Sequence, residues 1–260
     1  MRKIKFVLFV ILIFAGAIMM TGMASEKGVK SKKDNNIVYV YGPGGPFGPM
    51  EELAKRFSKG QGIQVQVVAG PEGKWIENAK QNGDIIYGGS SYMLRNFSFA
   101  HPKLLSEDSW VELYSRPAGI LVRKGNPKNI QTFADLTKEN VRIVDVNGAG
   151  QLGLWEDLAG RKGLIPDIQQ NIAVSVKTSA EAIELWKLDS TIDAWITYES
   201  WHYRLQNETD LVKFSEEDKL YRGTPAALTL KGQNKKMAEK FLTYLQTEEA
   251  HKVFQKWGWK

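Results

Sequence analysis

Catalysis calls for a nucleophile, an acid–base pair or a metal, and the residues that supply these are thin in this sequence. No cysteine occurs among its 260 residues, so thiol chemistry and disulfides are excluded. His101, His202 and His251 lie far apart, without metal-ligand spacing. Ser90 and Ser91 follow Gly88 and Gly89, which is not the Gly-x-Ser-x-Gly of a nucleophile elbow. Glu72, Asp84, Glu156 and Asp157 show no acid–base pairing that spacing identifies. What the chain offers instead is hydrogen-bond donors. Glycine-rich stretches at 44–45, 70–73, 88–91 and 148–151 can present backbone N–H groups to an anion. Ser90, Ser91 and Tyr198 add hydroxyls. Arg116 sits beside Pro117, which biases it toward an extended backbone. It is read either as a planar fork of donors facing a cleft or as a surface arginine at a turn. Lys74 either joins it or snorkels from its own helix. Trp195 and Trp201 flank Tyr198 and read as core or cleft wall rather than as a stacking box for a sugar. Such chemistry suits binding of a small anion better than turnover.

These loops need elements to hold them. Residues 37–41 are β-branched and aromatic and read as a strand. Glycines and prolines crowd 42–49, and then Met50, Leu53, Ala54 and Phe57 fall on one helical face. Strand, glycine-rich loop and helix in that order expose N–H groups at a helix N-terminus. The pattern recurs: strands at 63–68 and 84–87 run into 69–73 and 88–91, before helices at 74–82 and 92–97. Repeated βα units imply a parallel sheet covered by helices, with a crevice at the carboxyl ends of its strands. The segment 116–119 reads as an interruption before a strand at 120–123. Further strands follow at 141–146, 172–176, 192–196 and 211–214, with helices at 152–160 and 180–188, the latter capped by Ser179. The stretch 224–230 is extended. Two helices close the chain, and their apolar stripes, Met237, Phe241 and Leu245, then Val253, Phe254 and Trp257, read as core packing.

Residues 1–24 stand outside the fold. Arg2, Lys3 and Lys5 precede an uncharged apolar run, and Gly22 and Ala24 supply small residues for cleavage. Residues 25–35 read as a polar tail. The formal charge of +6 includes those three leading cations, and the mild remainder argues against nucleic acid as a partner. The length suits two lobes of ordinary size.

The residues Tyr39 to Pro46, Ala69 to Trp75, Asp84 to Ser91, Arg116 to Asn126, Val144 to Gln151, Asp193 to Tyr198 and Phe241 to Gly258 carry a resemblance from about residue 36 onward. The chain resembles extracellular solute-binding proteins of the two-lobed type. Among these it is most similar to the accessory colonization factor C family, relatives of the sulfate- and molybdate-binding proteins of ABC transporters. The resemblance implies an α/β fold of the periplasmic-binding-protein type II class, with parallel-type sheets flanked by helices and a ligand cleft between lobes. Lobe one would comprise residues 36–114 and 224–260, and lobe two 115–223, with crossings near 114–118 and 221–225. It implies a monomer without metal or cofactor, acting outside the cytoplasm, that binds a small tetrahedral oxyanion, sulfate first, and serves an ABC permease or a membrane receptor. Taken with the donor chemistry of the loops, the residues expected to bind the ligand are Gly44, Gly45, Pro46, Lys74, Trp75, Gly89, Ser90, Ser91, Arg116, Gly148, Ala149, Gln151 and Tyr198. Tyr198 matches a tyrosine that contacts the anion in molybdate-binding relatives. The first loop lacks their hydroxyl, which weighs against molybdate and tungstate and leaves organic sulfates and sulfonates open. Glu72 is an unexpected carboxylate for such a site. The alternatives are an adhesion or sensing factor for sulfated ligands and, third, a hydrolase of a small ester.

The leader reading makes a direct prediction. N-terminal sequencing of the secreted protein is expected to begin at Ser25, and a start at Met1 in a membrane fraction would contradict it.

Overall fold

The computed structural model describes residues 36–59 and 62–260, so the expected leader and tail lie outside the described residues. Strands β1 (Ile37–Gly42), β2 (Gln64–Ala69), β3 (Ile85–Tyr87), β4 (Val111–Glu112) and β11 (Pro225–Leu228) form one sheet in the order β2-β1-β3-β11-β4. A second sheet runs β10-β5-β8-β6-β7, with β9 also paired to β5. Its strands are β5 (Arg116–Arg123), β6 (Ile143–Val146), β7 (Ile172–Val176), β8 (Ala194–Tyr198), β9 (Thr209–Lys213) and β10 (Tyr221–Arg222). The chain therefore passes to the second sheet between Glu112 and Arg116 and returns between Arg222 and Pro225.

The expectation of parallel-type sheets holds for only part of each. β1 pairs parallel with β2 and β3, and β6 with β7 and β8. The returning β11 runs antiparallel to β3 and β4, and β5 runs antiparallel to β8, β9 and β10. Both sheets are mixed because the strands at the two crossings enter from the opposite direction to the βα repeats.

Side-chain alternation assigns the faces of the first sheet. Val38, Val40, Ile85, Tyr87, Ala226 and Leu228 face one apolar core. Tyr41, Ile86 and Ala227 face another. Helix α1 (Phe47–Ser58) buries Met50, Leu53, Ala54 and Phe57 in the first core, as their spacing predicts. Helices α8 (Lys236–Tyr244) and α9 (Glu248–Lys256) join it through Phe241, Leu242, Val253 and Phe254. On the other face, α2 (Ile76–Asn82) and α3 (Ser91–Ala100) contribute Ala79, Leu94 and Phe97. The second sheet is covered by α4 (Leu154–Gly160), α5 (Ile165–Asn171), α6 (Ser179–Leu188) and α7 (Glu199–Arg204), which bury Trp155, Ile168, Trp186 and Trp201.

Three local readings change. Residues 116–119 do not interrupt β5. Pro117 stands second in the strand, where a missing N–H is tolerated, and Gly119 admits the side chains of Glu199 and Leu211 close to the backbone. The cap of α6 is Thr178 rather than Ser179. Thr178 Oγ1 accepts from Glu181 N at 3.2 Å, and Glu181 Oε2 accepts from Thr178 N at 3.0 Å, a capping box. After Tyr198, where the sequence reading assigned no element, the chain forms the helix α7.

Asp145 on β6 is buried, accepts from Ser175 Oγ at 3.2 Å and feels the charge of Glu156 on α4. Burial, chiefly, raises its pKa to about 6. A carboxyl that binds its proton more tightly folded than unfolded contributes stability at low pH, and loses that contribution as pH rises through its folded pKa. Asp145→Asn is therefore expected to raise stability by up to about 3 kcal/mol at pH 7. The gain should shrink toward zero near pH 4, as read by urea unfolding at both pH values.

Candidate functional site

A cavity of about 410 Å³ lies between the carboxyl-end loops of the two sheets. The first sheet lines it with Pro43, Gly44, Gly45, Gly70, Pro71 and Glu72 from the loops, and with Met93, Asn96, Phe97 and Ala100 from α3. The second sheet contributes Arg116, Tyr198, Trp201, the turn Gly150–Gln151–Leu152, and residues 177–180 at the start of α6. The wall is largely apolar, with a few polar groups that converge, which is how small-molecule sites are built.

Arg116 is the centre of the polar set. Its side chain is 2 % exposed. Nη2 donates to the Gly89 carbonyl, while Nε is buried without a partner. The guanidinium carbon lies 3.9 Å from the Tyr198 ring centroid and 5.5 Å from that of Trp259, so aromatic faces rather than carboxylates stabilise the charge. Among the described residues no carboxylate acts on it. Burial lowers its pKa to about 10 and the Tyr198 phenol opposes that shift, so it stays cationic at neutral pH. Gly45 lets the first loop approach: a Cβ there would lie 2.9 Å from Arg116 Nη1.

Tyr198 ends β8 fully buried, with its hydroxyl donating to the Gly150 carbonyl. Burial raises its pKa, so the hydroxyl keeps its proton. Gln151 closes the turn Ala149–Gln151 and donates from Nε2 to Ser179 Oγ at 2.8 Å. Besides the Arg116 bond to Gly89, two further contacts tie the sheets together at this level. Arg204 Nη1 donates to Gly44 O at 2.8 Å, and Gly89 packs on Gly150.

The structure thus brings together Gly44, Gly45, Arg116, Gln151 and Tyr198 of the expected residues. Gly89 adjoins them through its carbonyl, which accepts from Arg116 rather than offering a donor. Others are placed elsewhere. Lys74 is exposed at the end of the turn Glu72–Lys74, consistent with snorkelling. Trp75 is core: it packs on Tyr41 and Phe97 and donates from its indole to Gly70 O at 3.0 Å, which steadies the loop that does reach the cavity. Ser90 is engaged in capping α3, its Oγ accepting from Met93 N at 3.1 Å, and Ser91 is the first residue of that helix. Pro46 precedes α1 as its cap. Gly148 packs against the Lys177 carbonyl, where a Cβ would fall 2.4 Å away, and Ala149 opens the turn that presents Gln151. Trp201 is cleft wall, packed at a tilt near Trp195.

Sequence reading missed the α3 face of Met93, Asn96 and Phe97 and the start of α6, Lys177 to Ala180. The signal for the second was present in the Thr178-x-x-Glu181 box following a strand, the same arrangement as the glycine loops without their glycines.

A profile of the family described as bacterial extracellular solute-binding protein matches residues 38–260. A sulfate-binding protein of Synechococcus elongatus is 26% identical over 167 residues, which is 54% of this chain and 45% of that protein. The chain spans less than half the length of the curated relatives it matches. Among solved structures, L-phospholactate-bound PEB3 of Campylobacter jejuni is similar with a TM-score of 0.80 at 32% identity, covering 86% of this chain and 99% of that one. The sulfate-binding protein SubI of Mycobacterium tuberculosis shares the fold, with a TM-score of 0.67 at 15% identity and 86% of each chain covered. Among the described residues no helix is long and apolar enough to cross a membrane.

The Gly89–Gly150 contact makes a prediction about closure. A Cβ on Gly150 would lie 2.5 Å from Gly89 O, a backbone atom that cannot swing aside. Gly150→Ala is expected to hold the two sets of loops apart. Small-angle scattering should give a larger radius of gyration than wild type, with far-UV circular dichroism unchanged.

Proposed function

Because this chain belongs to the bacterial extracellular solute-binding protein family, we propose that its solute is a small anion with a tetrahedral sulfate- or phosphate-type head, captured between the two sheets for delivery to an ABC-type permease. The observation that carries the reading is Arg116, a buried cation on the cavity wall with no carboxylate partner among the described residues. A buried charge is costly unless it is paired. A dianionic head would supply the missing partner through charge-assisted hydrogen bonds to the guanidinium.

The size of the cavity favours an organic body behind that head. About 410 Å³ falls within the range of sites for small organic ligands, and a bare five-atom sulfate would leave the Met93, Phe97 and Trp201 walls uncovered. The phospholactate in the Campylobacter jejuni structure, a phosphate on a short acid, is a solute of that size class. The sulfate-binding relative supports the head group rather than the body. No histidine lines the cavity and the Ser179 hydroxyl accepts from Gln151, which supports binding rather than hydrolysis of an ester.

Calorimetry against inorganic sulfate, inorganic phosphate and L-phospholactate tests the reading. Arg116→Ala is expected to cost about 2–5 kcal/mol in binding, as truncating one partner of a buried charge pair does. Arg116→Lys should recover only part, since an ammonium lacks the planar fork. Wild-type affinity in a folded Arg116→Ala protein would remove Arg116 from the site.

A further inference from the structure

We propose that the bound solute carries a hydrogen-bond donor, a hydroxyl or an amine, beside its anionic head, and that Gln151 is the residue that reads it. The inference rests on the anion reading above and deepens it.

Gln151 is 4 % exposed and lines the cavity. Its amide nitrogen is held by Ser179 at 2.8 Å, while its carbonyl oxygen Oε1 is buried with no partner. Buried side-chain acceptors are almost always paired, so this one calls for an explanation. An oxyanion cannot supply it, because ionised oxygens only accept, and acceptor against acceptor repels. A donor on the solute can.

A second group, on the opposite wall, points the same way. Glu72 lines the cavity from the side of the first sheet. Its Oε1 lies 2.7 Å from His101 Nε2, and its carboxylate is an acceptor carrying like charge to the head group. A solute that was anionic throughout would meet repulsion there, whereas a hydroxyl or ammonium would not. The cavity therefore sets the acceptors Gln151 and Glu72 beside the buried cation Arg116, and Lys177 lines it as well, near Ser179. Gln151 adjoins Gly150, whose carbonyl takes the Tyr198 hydroxyl, and the Tyr198 ring lies beneath the Arg116 guanidinium. One tyrosine side chain thus links the cation to the turn that carries Gln151. Turning the Gln151 amide over, with Ser179 donating to Oε1, would present Nε2 instead and would favour a further acceptor. That orientation makes the opposite prediction.

The test uses two series of probes that differ only in the distal group: ethyl, 2-hydroxyethyl and 2-aminoethyl phosphate, and ethane-, 2-hydroxyethane- and 2-aminoethanesulfonate. Calorimetry on the wild-type protein is expected to show the hydroxyl or amine member of at least one series binding about tenfold or more tightly than its ethyl counterpart, the cost of leaving a buried acceptor unpaired. Gln151→Met should erase most of the hydroxyl preference, read as the ratio of hydroxyl to ethyl binding within the variant, and Glu72→Gln should weaken the amine member relative to the ethyl one. If Gln151→Met fails to fold by circular dichroism, the wild-type ratio decides alone. Equal or tighter binding of the ethyl compounds, still lost in Arg116→Ala, would overturn this inference and leave the anion reading standing. Binding by no member of either series would overturn this inference, and the anion reading with it only if inorganic sulfate, inorganic phosphate and L-phospholactate also fail to bind.

Discussion

A guanidinium taken out of water without a carboxylate beside it is the constraint on which the site depends. Arg116 begins β5, which pairs with β8, β9 and β10 and is buried along nearly its whole length. The ladder fixes the backbone, and the Tyr198 ring, the Gly89 carbonyl and the Gly45 backbone then fix the head group. Holding a bare charge this way costs stability that the apolar cores of the two sheets must offset. The return is a charge already oriented and desolvated, so that a solute does not have to organise it on arrival.

The architecture around that residue follows from the same need. The βα repeats end in loops with free backbone donors, but a formal cation has to come from a side chain at the crossing between sheets. The mixed strand directions arise there: β5 and β11, the strands that follow the two crossings, are the ones that run antiparallel to their neighbours. The C-terminal segment closes the back of the site, with Trp259 near Arg116 and its indole donating to Thr224 Oγ1 at 2.8 Å beside the second crossing.

Much of this was legible in the sequence wherever one period dominated. The β-branched and aromatic run 37–41 reported a strand, the i, i+3, i+4, i+7 run from Met50 to Phe57 reported one buried face, and the glycine loops reported the strand ends. Reading failed where a residue's partner is remote. Pro117 looked like a break because its neighbour Tyr221 on β10 is invisible locally. Trp75 and Ser90 were drawn into the site by position, although one is claimed by an aromatic core and the other by a helix end. Lys177 to Ala180 were passed over because the motif there used a capping box in place of glycine. Glu72, by contrast, stood out in sequence as the wrong charge, and it does line the cavity.

The Gly89 carbonyl has a consequence for selectivity. It already holds one of the Arg116 donors, and it comes from the opposite sheet. A solute that wants that donor must outcompete a peptide dipole built into the protein. A full negative charge does so readily, since hydrogen bonds to ionised acceptors are roughly twice as strong as those between neutral groups. A sugar hydroxyl or an amide offers no more than the carbonyl it would displace. The protein thereby carries its own internal rival at the mouth of the charge, a threshold that neutral solutes fail regardless of how well they fit the walls.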